Sequence, residues 1–388
     1  MTRKSTAIHA RRRYIAAPTL WLAFVALLIG CVSTESWEAT RLLQDIDAAG
    51  GPSELKKLTP MPQRSTERYQ VEGRDNVADF YDPLQPLGGA LVLVPGFTRD
   101  GKDDLRVQEL ARSLARARFL VMVPEVRGSR ELRVRPEDAD TIADALRHLH
   151  RTRAEAAGRS TGVVAISYAV ALAILAGLEV REASVPLDFV VGVGGYFDSA
   201  AVVTFATTGR YRPPGTRSWE VGSPLQYAKW VFLASNAAVL DDAQDRARLE
   251  ALGRDCFDGC DPDVEALAAE LGPQGRALLA LMVNREPAQV PSLIAALPEA
   301  VRQRMETLSP SRYDLSSLEG RLILVHGRLD PLIPYSESLA LGRAVPGSEV
   351  FLIDGFSHIT PRSVGWGGQL QLISAIQAVL ARRDGTPP

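Results

Sequence analysis

Six short runs of this chain are largely apolar from end to end: ALVLVPG (90–96), FLVMVP (119–124), GVVAIS (162–167), LDFVVGVGG (187–195), RLILVHG (321–327) and SEVFLID (348–354). A strand with apolar side chains on both faces must be covered on both, which is the condition of a parallel sheet between two layers of helices. The segments between the runs supply those layers. DDLRVQELARSLARA (103–117) and PEDADTIADALRHLHRT (136–152) place apolar residues at helical spacing, and Pro136 sits at a helix start. AVALAILAG (169–177) and a final segment from about 367 to 382 continue the pattern. Strand, helix, strand, helix predicts an α/β fold with a mostly parallel sheet.

The alternation stops between 199 and 309. LQYAKWVFLASNAAVL, VEALAAEL, GRALLALMV and VPSLIAALPEAVRQRME follow one another with no strand between them. An all-helical insert of this length inside an α/β sheet reads as a cap over one end of it. Its Trp230, Phe232, Leu281 and Met282 suit either the cap's own core or the lining of a site for an apolar acyl group. The expected organisation is a leader over 1–30, a tether over 31–64, a core over 65–198 and 310–388, and the cap over 199–309. At 388 residues and 46% apolar content, the chain has ample material for a core of this size.

The leader stands apart in composition. RKSTAIHARRR is followed by YIAAPTLWLAFVALLIG and then Cys31, the order of a basic and an apolar region in an export signal. Leu28-Ile29-Gly30-Cys31 resembles the lipobox of bacterial lipoproteins, which implies cleavage before Cys31, lipidation of its thiol and attachment to a membrane of the cell envelope. RRRYI (11–15) partly resembles a twin-arginine export motif. An uncleaved spanning anchor is the alternative, since the apolar run is only slightly short of a full span. Either way the bulk of the chain is expected outside the cytoplasm. The net charge of −2 conceals five cations in the leader, Arg3, Lys4, Arg11, Arg12 and Arg13, with no acid; the remainder carries −7. An acidic body of this kind argues against a nucleic acid partner.

Apart from Cys31 the cysteines are Cys256 and Cys260, in DCFDGCDPD. An even pair in an exported chain predicts a local disulfide, with Gly259 permitting the turn. The aspartates around it lack the spacing of a calcium loop, and no histidine lies near to complete a zinc site, so no metal is expected.

Ser167 lies where GVVAIS meets AVALAILAG, and a serine at such a junction is either a helix N-cap or a nucleophile. Four segments taken in order resemble the α/β-hydrolase family: LVLVPGFT with the third core strand and oxyanion loop, VVAISYAVALA with the nucleophile elbow, LILVHGRLDPLIP with the strand and loop that deliver the acid, and VFLIDGFSHIT with the last strand and histidine loop. The resemblance spans roughly 65–200 and 310–388. It implies a Ser167, Asp330 and His358 triad in the family's order, with the backbone N–H groups of Phe97 and Tyr168 forming the oxyanion hole. Its elbow departs from G-x-S-x-G, since Ala165 and Ala169 replace both glycines.

The residues can also be read one by one. Of five histidines, His9 is in the leader, His148 and His150 are on an outer helix, and His326 is within a strand end, which leaves His358 as base. Asp198 and Asp354 compete with Asp330 for the acid. Arg127 and Gly128, in PEVRGS, resemble the family's loop after its fourth strand, which implies a structural role. The expected activity is hydrolysis of a small-molecule carboxylic ester or related acyl compound by an exported serine hydrolase without cofactor. A ligand- or partner-binding lipoprotein on the same fold is the alternative.

Overall fold

The computed structural model describes residues 34–153, 158–257, 259–260, 262–358, 360–361 and 364–385; the leader and Cys31 lie outside the described residues. Eight strands form one sheet: β1 (Gln63–Val71), β2 (Arg74–Asp82), β3 (Gly89–Val94), β4 (Phe119–Pro124), β5 (Ser160–Ile166), β6 (Phe189–Val193), β7 (Leu322–Gly327) and β8 (Glu349–Ile353). Their order across the sheet is β1-β2-β4-β3-β5-β6-β7-β8. β2 runs antiparallel to both its neighbours, and the pairs from β4 to β8 are parallel.

The helices of six or more residues, in chain order, are α1 (Thr34–Ala48), α2 (Leu105–Arg116), α3 (Asp138–Thr152), α4 (Ala169–Glu182), α5 (Ser199–Thr208), α6 (Tyr227–Ala237), α7 (Ala243–Asp255), α8 (Val264–Glu270), α9 (Pro273–Val283), α10 (Val290–Ala295), α11 (Glu299–Thr307), α12 (Ser336–Ala344) and α13 (Trp366–Arg383). Period-two alternation divides each apolar strand between two cores. In β3, Ala90, Val92 and Val94 join a core beneath α3, α4 and α12, whereas Leu91 and Leu93 join a core beneath α1, α2 and α13. Among the described residues, no helix is long and apolar enough to cross a membrane.

Two features depart from the sequence reading. The β1–β2 hairpin escapes it because both strands are rich in charge. Buried Asp79 accepts from Arg64 Nε at 2.9 Å and Thr66 Oγ1 at 2.6 Å, so its charge is compensated inside the sheet. The expected tether is, from Thr34 onward, part of the core. Ala39 and Leu42 are buried against the sheet-covering helices, and buried Asp45 accepts from Ser113 Oγ at 2.6 Å. Glu38 pairs with Arg383 at the far end of the chain (Nη2 to Oε2, 3.0 Å). The amphipathic pattern of this helix needed a partner, and that partner lies more than three hundred residues away.

Helices α5 to α11 pack around a core of their own that contains Trp230, Leu281 and Met282. A disulfide joins Cys256 and Cys260, with Cα atoms 4.9 Å apart, just beyond α7. The cap is fastened to the sheet domain at Val134, in the loop before α3. Ser235 Oγ accepts from the Val134 N–H at 3.0 Å, and the Arg304 guanidinium donates to the Val134 carbonyl.

Candidate active site

β5 ends at Ile166 and α4 begins at Ala169, so the chain must reverse direction within two residues. Ser167 makes that turn with φ of +60°, a left-handed conformation that costs a non-glycine residue roughly 1–2 kcal/mol. Two backbone bonds hold it: Ser167 N–H donates to the Val193 carbonyl at 2.7 Å, and Val170 N–H to the Ser167 carbonyl at 3.1 Å. Flanking Ala165 and Ala169 are fully buried without needing glycine's freedom. The close packing is met from the neighbouring strand and the residues just after it. A Cβ on Gly192 would lie 2.8 Å from Val170 Cγ1, and one on Gly195 would lie 2.3 Å from Val170 Cβ. The glycines absent from the elbow stand opposite it, in VVGVGG, a signal the sequence carries but a search for G-x-S-x-G does not find.

His358 follows β8, also with positive φ (+50°). Its Nδ1 lies 2.7 Å from Asp330 Oδ2 and its Nε2 2.8 Å from Ser167 Oγ. A carboxylate oxygen only accepts, so Nδ1 carries the proton and Nε2 is free to accept from the Ser167 hydroxyl. Gly194, at φ +61°, keeps this bond clear: a Cβ there would approach His358 Nδ1 to 3.3 Å and Asp330 Oδ2 to 3.4 Å.

Asp330 is buried in the loop after β7. Its Oδ1 accepts from the N–H groups of Leu332 (2.8 Å) and Ile333 (3.0 Å). Burial pushes this carboxyl up, but hydrogen bonds from His326 and His358 outweigh it and hold Asp330 well below the usual carboxylate range. His326 reads in the sequence as a strand-end residue with no part in the site. It is fully buried, with Nε2 2.9 Å from the Ile333 carbonyl and 3.4 Å from Asp330 Oδ2. Because a carbonyl only accepts, Nε2 carries the proton, and Nδ1 accepts from Ser338 Oγ at 2.7 Å. His326 is a positioning residue for the acid loop.

The other candidate acids lie elsewhere. Asp198 caps α5, accepting from Ala200 N–H at 2.8 Å, and also accepts from Ser311 Oγ at 2.7 Å. Asp354 is exposed and pairs with Arg328 at 3.2 Å. The N–H groups of Phe97 and Tyr168 donate to no acceptor among the described residues, and both residues line the same cavity as Ser167. Their rings stack with centroids 3.9 Å apart and planes 9° from parallel, which pins the two loops to each other. Ser129 Oγ donates to the Gly96 carbonyl at 2.6 Å, and Gly128 N–H donates to Asp138 Oδ2 at 3.0 Å. The segment around Arg127 and Gly128 therefore braces the loop bearing Phe97.

The cavity above Ser167 has walls from both parts of the fold. Leu332 and Ile333 come from the sheet domain, and Val202, Val231, Phe232 and Met305 from the cap. Of the four apolar cap residues singled out in the sequence, Phe232 faces this cavity; Trp230, Leu281 and Met282 belong to the cap's interior.

No protein-family model matches this chain, and no curated protein does. Among solved structures it is similar to an arylesterase at 13% identity, over 94% of this chain and 97% of that one, with a TM-score of 0.48. It is similar to brefeldin A esterase, described as a bacterial homologue of human hormone-sensitive lipase, at 15% identity over 95% and 84% (TM-score 0.47). A hyperthermophilic esterase from Pyrobaculum calidifontis matches at 16% identity over 95% and 98% (TM-score 0.46). The strand order, antiparallel β2, helices on both faces and turn at Ser167 make this an α/β-hydrolase fold.

Proposed function

We propose that this protein is a serine hydrolase that cleaves a carboxylic ester or related acyl bond, exported and held on a membrane through a lipidated Cys31. The hydrogen-bonded series Ser167–His358–Asp330, with bonds of 2.8 and 2.7 Å, carries the reading. A serine hydroxyl is a weak nucleophile until a base removes its proton during attack. In the proposed cycle, His358 Nε2 takes the Ser167 proton as Oγ bonds to the substrate carbonyl carbon. The N–H groups of Phe97 and Tyr168 receive the resulting oxyanion, an interaction worth roughly 3–4 kcal/mol per donor in comparable sites. The proton then passes to the leaving alkoxide, the C–O bond breaks, and an acyl-Ser167 ester remains. Water, deprotonated by His358, releases the acid. Asp330, held ionised, fixes the imidazole tautomer and stabilises its protonated form throughout.

A fluorophosphonate probe and a panel of p-nitrophenyl esters test this. Wild-type protein is expected to be labelled and to turn over esters, and Ser167→Ala to do neither. Folded wild-type protein that does neither would sink the proposal; equal labelling of the mutant would sink the role of Ser167. Radiolabelled palmitate should enter the full-length chain and not Cys31→Ser.

A further inference from the structure

We infer that the cavity above Ser167 reads an anionic group on the substrate through Arg304, so that the preferred ester carries a carboxylate at the end of an apolar stretch. The inference rests on the hydrolase reading for its substrate class. Arg304 comes from α11 of the cap and lines the same cavity as Ser167. One Nη donates to the Val134 carbonyl, which fixes the guanidinium in place. Its Nε is buried with no acceptor, and no carboxylate lies within ion-pair distance of it among the described residues. Neighbouring cations are not in that position. Arg133 is paired with Glu250 at 2.8 Å and Arg135 with Glu131 at 3.4 Å.

A half-buried guanidinium with one hydrogen bond and no ion pair, attracted only by the more distant charges of Glu137 and Asp138, in a wall whose apolar part includes Val202, Val231, Phe232 and Leu308, is under-compensated. Burial accordingly pulls Arg304 below its ordinary value. A ligand carboxylate restores the missing partner, and the planar donors of arginine match its two oxygens. The Asn236 carboxamide lines the same cavity, and its Nδ2 is committed to the Phe232 carbonyl at 2.9 Å. Its oxygen is left without a donor, so a neutral hydroxyl is the rival ligand chemistry.

The test compares p-nitrophenyl hemi-esters of dicarboxylic acids, from succinate to suberate, with neutral acyl and ω-hydroxyacyl esters of matching length. For wild-type protein, kcat/KM for the best hemi-ester should exceed that for its neutral counterpart by at least about tenfold. Arg304→Gln should lower the hemi-ester value by at least about tenfold more than the neutral one, and Arg304→Lys, which keeps the charge, should restore part of the difference. Equal losses on all three series would assign Arg304 to holding Val134 alone and overturn the inference. So would an equal loss on hydroxyacyl and hemi-esters. Absence of turnover with every ester would fell the hydrolase reading separately. The anion site would then be judged by calorimetric binding of suberate to Ser167→Ala: binding that Arg304→Gln abolishes upholds it, and no binding, or binding that survives, overturns it.

Discussion

At the scale of single residues, buried charge divides into groups that are compensated and groups that are not. Asp330 belongs to the first kind, and its stabilising contribution is present above ordinary carboxylate pKa values and lost only in strong acid. Glu337, at the start of α12, belongs to the second. Burial raises its carboxyl to about 7, although its Oε2 accepts from the N–H groups of Phe197 (3.0 Å) and Asp198 (2.9 Å). The folded form therefore retains a proton that the unfolded form releases, and stability falls as pH climbs from the ordinary carboxylate value to about 7. Glu337→Gln has no such proton to lose. Its stability relative to wild type should rise by about 3 kcal/mol between acid and alkaline sides of that window, measured by urea unfolding. A gap that stays constant with pH would contradict this. Sequence could single out Ser167, Asp330 and His358 as candidates, because each follows an apolar strand and bears the right functional group, and the fold brings the three within hydrogen-bond distance. It could not name His326, Glu337 or Arg304. Their roles depend on what surrounds them after folding, and nothing in the local pattern of VHGR, YSES or VRQR announces it.

Among the elements, the elbow and its neighbouring strand act as one unit. Space for α4 beside β6 exists because Gly192 and Gly195 have no side chains where Val170 packs. Gly192→Ala should destabilise the fold by about 1–3 kcal/mol, the usual cost of overpacking, and Val170→Ala should recover much of that loss. Additive losses in the double variant would show that the two positions are not in contact. The same pairing explains the sequence's misleading appearance. The residues beside Ser167 are two alanines, whereas the compensating glycines are about twenty-five residues away, Gly192 on a strand hydrogen-bonded to β5 and Gly195 just beyond its end. The parallel core was legible because its strands from β3 to β7 are largely buried on both faces and read as unbroken apolar sequence. The β1–β2 hairpin was not: its β1 strand is exposed over most of its length, and Asp79 is buried only because Arg64 and Lys102 come to meet it.

For the whole molecule, the first described helix and the last are joined. Gln377 Nε2 donates to Ser36 Oγ at 2.8 Å, and Glu38 meets Arg383, which is 1% exposed at its side chain. Glu38→Gln should lower stability by about 2 kcal/mol in urea unfolding, less than a wholly unpaired buried charge would cost because Asp384 stays 2.7 Å from Arg383. Removal of residues through Leu58 should cost more, since it also uncovers the faces on which Ala39, Leu42 and Leu55 sit. A truncated chain as stable as the original would show that the segment is dispensable. The sequence displayed α1 as an isolated amphipathic stretch, and without its distant partner such a stretch is indistinguishable from a spacer. The closure of the two ends also has a kinetic consequence. Chains that emerge N-terminus first, from a ribosome or through a pore, ordinarily settle in stages as each part becomes available. Here the first described helix can meet α2 early, through Asp45 and Ser113, but the rest of its seat, the pairings of Ser36 with Gln377 and Glu38 with Arg383, is built only after the final described helix has cleared the exit, so its docking is completed last.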